Sequence, residues 1–137
     1  MKLNCVIIDD EPLALRQITS YIDRTDQLEL VAACRSAEEA LKVVENEHVD
    51  LIFVDINMPD MNGLEFVRRL SSTYYIVFTT AHSEYALDGF KLNALDYLLK
   101  PFSYEEFMKA SQKAISLTDL VERCRAAESA VAQNEAE

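Results

Sequence analysis

"LIFVDINMPDMNG", residues 51–63, decides the fold. Leu51 to Val54 form an unbroken apolar run that ends in Asp55, and Pro59 and Gly63 then break the chain. Such a run is the pattern of a strand buried on both faces. A carboxylate at its end costs several kcal/mol if it leaves water unpaired. Asp55 either caps an ordinary loop or is placed to react, and its surroundings decide between the two.

Working outward, strand-like and helix-like segments alternate. "LNCVIID" (3–9) reads as a strand, and "PLALRQITSYI" (12–22) carries Leu13, Ile18 and Ile22 at helical spacing with Leu15 beside them. Pro12 suits a first helical turn, where its missing N–H is not needed. "LELVAACR" (28–35) is a second strand, and Ser36-Ala37-Glu38-Glu39 has capping-box spacing for a helix through Val44. "DLIFVD" (50–55) is the third strand, and "LEFVRRL" (64–70) a short third helix. "YYIVFTT" (74–80) is the fourth strand, and "SEYALDGFKLN" (83–93) a fourth helix capped by Ser83. "DYLLK" (96–100) is the fifth strand. Pro101 stops it, and Ser103 opens a last helix with Glu105 and Glu106 in its first turn. Five strand–helix pairs predict an α/β fold, a parallel sheet covered by helices on both faces.

In an open parallel sheet, ligands bind beyond the carboxyl ends of the strands. Strand 1 ends in Asp9-Asp10, strand 3 in Asp55, strand 4 in Thr79-Thr80 and strand 5 in Lys100. These groups converge on one cleft. Three carboxylates there repel one another, and one lysine cannot neutralise them. A hard divalent cation can, and oxygen-only ligands suit magnesium. Magnesium with a lysine clamps phosphoryl oxygens, and an ionised aspartate can be the nucleophile. The chain has two glycines, Gly63 and Gly89, so it holds no glycine-rich cradle for a nucleoside triphosphate. The donor is expected to be a small molecule or a phosphorylated protein.

Composition narrows the partners. Acids outnumber bases 24 to 13, a net charge of −11 that a phosphate backbone repels, so direct nucleic-acid binding is not expected. No apolar run approaches the ~20 residues that span a bilayer, and the start is no signal peptide. A cytoplasmic location without membrane contact is expected. Cys5, Cys34 and Cys124 are an odd number at wide spacing, read as buried or incidental thiols.

"VIIDDEPLAL", "LIFVDINMPDMNGLEF", "VFTTAHSEYAL" and "DYLLKPF" together resemble the receiver domains of two-component response regulators, in the right order and over most of the chain. "FTTAHSEYALDGF" and "ALDYLLKPF" resemble receivers of the LytTR subfamily in particular. The resemblance implies a flavodoxin-like doubly wound fold, (βα)5, with strand order 2-1-3-4-5. It implies that Asp55 accepts a phosphoryl group from a sensor histidine kinase. Asp10 would bind magnesium directly, Asp9 through a water, and Asn57 through its backbone carbonyl. Thr80 and Lys100 would hold phosphoryl oxygens, Thr79 would pack in the strand, and Ala81 would leave room. Lys100–Pro101 would be a cis bond, and Tyr97 would swing inward with Thr80 as a switch. The surface formed by the fourth helix, fifth strand and last helix would be the switched face and a candidate homodimer contact. The chain would carry out its own phosphoryl transfer and slow autodephosphorylation and no other catalysis.

His82, beside the cleft mouth, would either tune hydrolysis or be an ordinary exposed polar residue; His48 is expected at the surface, and Met58 and Met61 in loop packing. Phe107, Ala110, Ala114, Leu117, Val121 and Cys124 form a heptad seam in the last helix, broken at Glu128. Residues 1–118 are therefore expected to be the receiver. Residues 119–137 would be an extended helix end or a linker to a LytTR-type DNA-binding domain absent here, which favours a truncated regulator over a stand-alone one. Two other readings remain. A magnesium-dependent phosphatase needs a second acid two residues past its nucleophile, where Asn57 stands. A pseudo-receiver would fold alike without being phosphorylated.

Overall fold

The computed structural model describes residues 2–82 and 93–136, with side chains through residue 130. In chain order the elements are β1 (Leu3–Ile8), α1 (Pro12–Asp23), β2 (Leu28–Cys34), α2 (Ala37–Asn46), β3 (Leu51–Asp55), α3 (Gly63–Arg68), β4 (Tyr75–Thr80), β5 (Asp96–Leu99) and α4 (Tyr104–Ala136). The helix expected over 83–93, with its Ser83 cap, lies outside the described residues except for Asn93. That residue takes a left-handed φ of 57°, which asparagine tolerates.

All strand pairs are parallel, and the sheet order is β2-β1-β3-β4-β5, as the resemblance implied. Every residue of β3 is buried, as its apolar run required. Alternate side chains feed two cores. Leu51 and Phe53 join Cys5, Ile7 and Val77 beneath α1 and α4, whereas Ile52 and Val54 join Val6, Ile8 and Phe78 beneath α2 and α3. Phe53 stacks on Phe107 of α4 with ring centroids 5.1 Å apart.

The helices depart from the sequence reading in instructive places. α1 buries Leu15, Ile18 and Ile22, but Leu13 is 75% exposed. Two residues before Leu15 is about 200° around the helix, so Leu13 faces away from the stripe. α2 runs to Asn46, past the expected Val44. Ser36 Oγ accepts the Glu39 N–H at 3.2 Å, while the Glu39 carboxylate accepts the Arg35 N–H at 3.1 Å instead of that of Ser36. At α4 the box is reciprocal: Ser103 Oγ accepts the Glu106 N–H, and Glu106 Oε1 accepts the Ser103 N–H. α4 continues helically for 33 residues. Its seam is buried at Phe107, Ala110 and Ala114 and exposed at Leu117, Val121 and Cys124.

Cys5 and Cys34 are buried thiols, pushed up to about 12 and about 11 by burial, so neither is a nucleophile at neutral pH. No helix among the described residues is long and apolar enough to cross a membrane.

Candidate functional site

Strand register builds the site. Ile8 pairs with Val54, so the next residue, Asp9, emerges beside Asp55. Asp55 pairs with Thr79, Thr80 pairs with Leu99, and the Lys100 N–H donates to the Thr80 carbonyl at 2.7 Å. Four neighbouring strands thus deliver Asp9, Asp55, Thr80 and Lys100 to one rim. The Lys100–Pro101 bond is cis.

The Lys100 ammonium donates to Asp9 Oδ2 at 2.7 Å and to Asp55 Oδ2 at 3.4 Å. Both carboxylates are almost wholly buried. Asp9, Asp10 and Asp55 each offer an oxygen, all within 4.8 Å of one another. One ammonium faces three carboxylates, leaving excess negative charge in a poorly solvated place. Burial, and then the charge of Asp9, push the Asp55 carboxyl up to about 6, against the pull of Lys100 and the Asn57 N–H. Burial works against the Lys100 ammonium, but its bond to Asp9 and the charges of Asp55, Asp9 and Glu11 outweigh it and hold the lysine above its ordinary value. The donor set is all oxygen and short of positive charge, which fits a hard divalent cation. The chain can hold a metal ion there.

Other candidates fall into place around this centre. Asp9 does not cap α1. Its Oδ1 accepts the Glu11 N–H at 2.9 Å, and Glu11 takes the cap position without a side-chain bond. The Asn57 N–H donates to Asp55 Oδ1 at 3.2 Å. Thr79 and Thr80 are buried, and Thr80 Oγ1 accepts the His82 N–H at 3.1 Å. The Tyr97 hydroxyl donates to the His82 carbonyl. Thr80 and Tyr97 therefore grip the same residue from opposite ends of its backbone. Met58 and Met61 pack partly buried against the α2–α3 core, and exposed His48 pairs with Asp50 at 3.0 Å.

Gly63 closes the loop after β3. Its N–H donates to the Ile56 carbonyl at 2.8 Å, and a Cβ here would lie 2.3 Å from the Asp55 carbonyl oxygen. Any side chain at this position would push the β3 terminus, and Asp55 with it, out of place. Sequence reasoning missed Asp60, whose carboxylate accepts the Ala37 and Glu38 N–H groups at the start of α2. No short-range spacing signals a contact across 22 residues.

The family described as "Response regulator receiver domain" matches residues 5–112. The chain belongs to that family. It is the receiver domain of a two-component response regulator. The chain is 36% identical over 115 residues to the sensory transduction protein LytT of Enterococcus faecalis, covering 82% of this chain and 48% of LytT. It spans about half the length of the curated relatives it matches. Among solved structures, the response regulatory domain of mrkE from Klebsiella pneumoniae superposes with a TM-score of 0.80 at 30% identity, over 86% of this chain and 99% of that one. The response regulator TrrA of Thermotoga maritima, solved in complex with Mg(2+)-BeF, has a TM-score of 0.72 at 29% identity, over 83% of this receiver and 99% of TrrA.

Proposed function

We propose that this receiver accepts a phosphoryl group on Asp55, in the presence of magnesium, and that the change in charge switches an output surface. The observation that carries the reading is the Lys100 ammonium bridging Asp9 and Asp55 within an all-oxygen, under-neutralised cluster. Asp10 would bind the ion directly, Asp9 through water, Asp55 through its carboxylate and Asn57 through its backbone carbonyl. When bound, magnesium supplies charge neutralisation for the entering phosphoryl oxygens.

The chain's own groups do the rest. An Asp55 oxygen attacks the phosphorus of a phosphohistidine on a sensor kinase. The P–O bond forms as the P–N bond breaks, and the imidazole leaves with the electron pair and takes up a proton. Lys100 stays beside Asp55 to pair with a phosphoryl oxygen. A cleft of about 510 Å³, lined by Leu13, Ala14, Ala81 and Lys100, opens next to this centre. The exposed Leu13 on its wall supports docking of the kinase there. Asn57, two residues past Asp55, is a poor proton shuttle, which supports a persistent modified state over phosphatase turnover.

An aspartyl phosphate brings about 1.5–2 negative charges and three acceptor oxygens. The Thr80 hydroxyl would turn toward one of them and release the His82 N–H. The Tyr97 hydroxyl, bonded to the carbonyl of the same residue, would follow, and the face that includes β5 and α4 would change. That face would serve a homodimer or a LytTR-type DNA-binding domain. Residues 119–137 would form the connection to it, and residues 1–118 the receiver. DNA would be met only through the output domain, in the cytoplasm. The likeness to LytT, a longer protein, supports this arrangement.

A small-molecule phosphodonor tests the reading. The protein is expected to take up one acid-stable, base-labile label only with magnesium. Continuous phosphate release would favour a phosphatase, and no labelling a pseudo-receiver.

A further inference from the structure

The loop after β3 is closed at its base by local bonds. Gly63 N–H reaches the Ile56 carbonyl at 2.8 Å, Asn57 N–H the Asp55 carboxylate at 3.2 Å, and Leu64 N–H the Asn62 side chain at 2.7 Å. None of these holds the apex against the rest of the molecule. Among the described residues, the hydrogen bonds that residues 57–61 make to elements other than β3 and α3, which the loop joins, are two, and Asp60 accepts both. Ala37 N–H donates to Oδ1 at 3.4 Å and Glu38 N–H to Oδ2 at 3.1 Å. These amides belong to the first turn of α2, where backbone donors lack helical partners. The side chain of Ser36, that helix's own cap, takes the Glu39 N–H and neither of these two. A carboxylate from the loop beside Asp55 thus completes the start of α2, at the positive end of its dipole.

We propose that Asp60 is a positioning residue for the phosphorylation site: by fastening the 56–62 loop to α2, it fixes the backbone carbonyl of Asn57 as a metal ligand. The inference rests on the metal-site reading above. A backbone carbonyl cannot search for an ion by rotating a side chain; it lies where its loop lies. Met58 and Met61 hold the loop against the core, but apolar contact is non-directional and sets depth more than orientation. The two-oxygen grip of Asp60 on successive amides supplies the direction. It also makes α2 sense the loop, because any displacement of residues 57–61 must break or drag the helix cap.

Magnesium titration of the metal-free protein, followed by backbone amide NMR shifts, tests this with Asp60→Ala, Asp60→Asn and Ser36→Ala. Asp60→Ala is expected to weaken magnesium binding roughly tenfold, the low end for loss of an outer-shell support. Its labelling by a phosphodonor should recover at saturating magnesium. Asp60→Asn keeps one acceptor oxygen and should recover part of the affinity. Ser36→Ala removes a cap from the same helix and should lower the melting temperature with magnesium affinity unchanged. Wild-type affinity in Asp60→Ala, or an equal loss in Ser36→Ala, would overturn the role and leave Asp60 a helix cap alone. A wild-type protein that binds no magnesium would instead overturn the reading of the site, and the role of Asp60 with it.

Discussion

One strand carries an aspartate at each end, and the two are built in opposite ways. Asp50, just ahead of β3, accepts the Asn4 N–H at 2.8 Å and pairs with His48 at 3.0 Å. Its own N–H donates to the Asn4 carbonyl at 2.8 Å, and its carbonyl accepts the Tyr75 N–H at 2.9 Å. It laces β1, β3 and β4 together at the amino rim. Asp55, at the carboxyl rim, is more deeply buried, sits among like charges, and receives one backbone N–H and a shared ammonium. Burial and Asp9 push its carboxyl up to about 6. A carboxylate satisfied by backbone and histidine fastens the sheet. One left among like charges and short of donors retains capacity for a cation and a new bond.

The comparison breaks most visibly at Lys100. Lys100→Met removes the cation nearest Asp55, and the rate of labelling by a phosphodonor is expected to fall about 100-fold at fixed magnesium. Without metal, the same variant should lose on the order of 3 kcal/mol in urea unfolding, because the buried Asp9 and Asp55 lose the cation they share. Unchanged labelling would remove Lys100 from the chemistry.

A smaller effect comes from Asp55 itself. Its pKa in the folded protein lies above the ordinary 3.8, so the folded state holds the extra proton between about pH 4 and pH 6. Stability without metal therefore falls as pH rises through that window, and the loss is complete above it. Asp55→Asn removes the titration and should be more stable than wild type at pH 7.5 by on the order of 1–2 kcal/mol, the advantage vanishing below about pH 4. Equal pH profiles for the two proteins in the presence of a chelator would contradict the crowded-carboxylate account.

The smallest change is expected at the other end of the strand. Asp50→Asn keeps an acceptor for the Asn4 N–H but loses the charge facing His48, a cost of about 1 kcal/mol. Its labelling rate should match wild type. A labelling defect here would mean that the two ends of β3 are not independent.

The alternation of apolar runs with helical stripes was enough to read all five strands and the described helices, because burial on two faces leaves β1, β3 and β4 almost no polar positions. Asp9, Asp10, Asp55 and Lys100 were legible as a cluster for a related reason: parallel strands put all their carboxyl ends on one rim. What stayed hidden depends on rotation or on distance along the chain. Leu13 has the composition of a core residue and the wrong angle for one. Asp60 caps a helix that begins 23 residues earlier, and Glu39 reaches one residue past its expected partner. The linkage of Thr80 and Tyr97 through the His82 backbone depends on side-chain direction, which residue spacing does not encode.

The most direct test is to locate the phosphoryl group. After treatment with a small phosphodonor and magnesium, borohydride trapping and peptide mass mapping should find the modification at Asp55 in wild type and at no position in Asp55→Asn. A label carried by Asp50, Asp9 or Asp10, or one that persists in Asp55→Asn, would contradict the account.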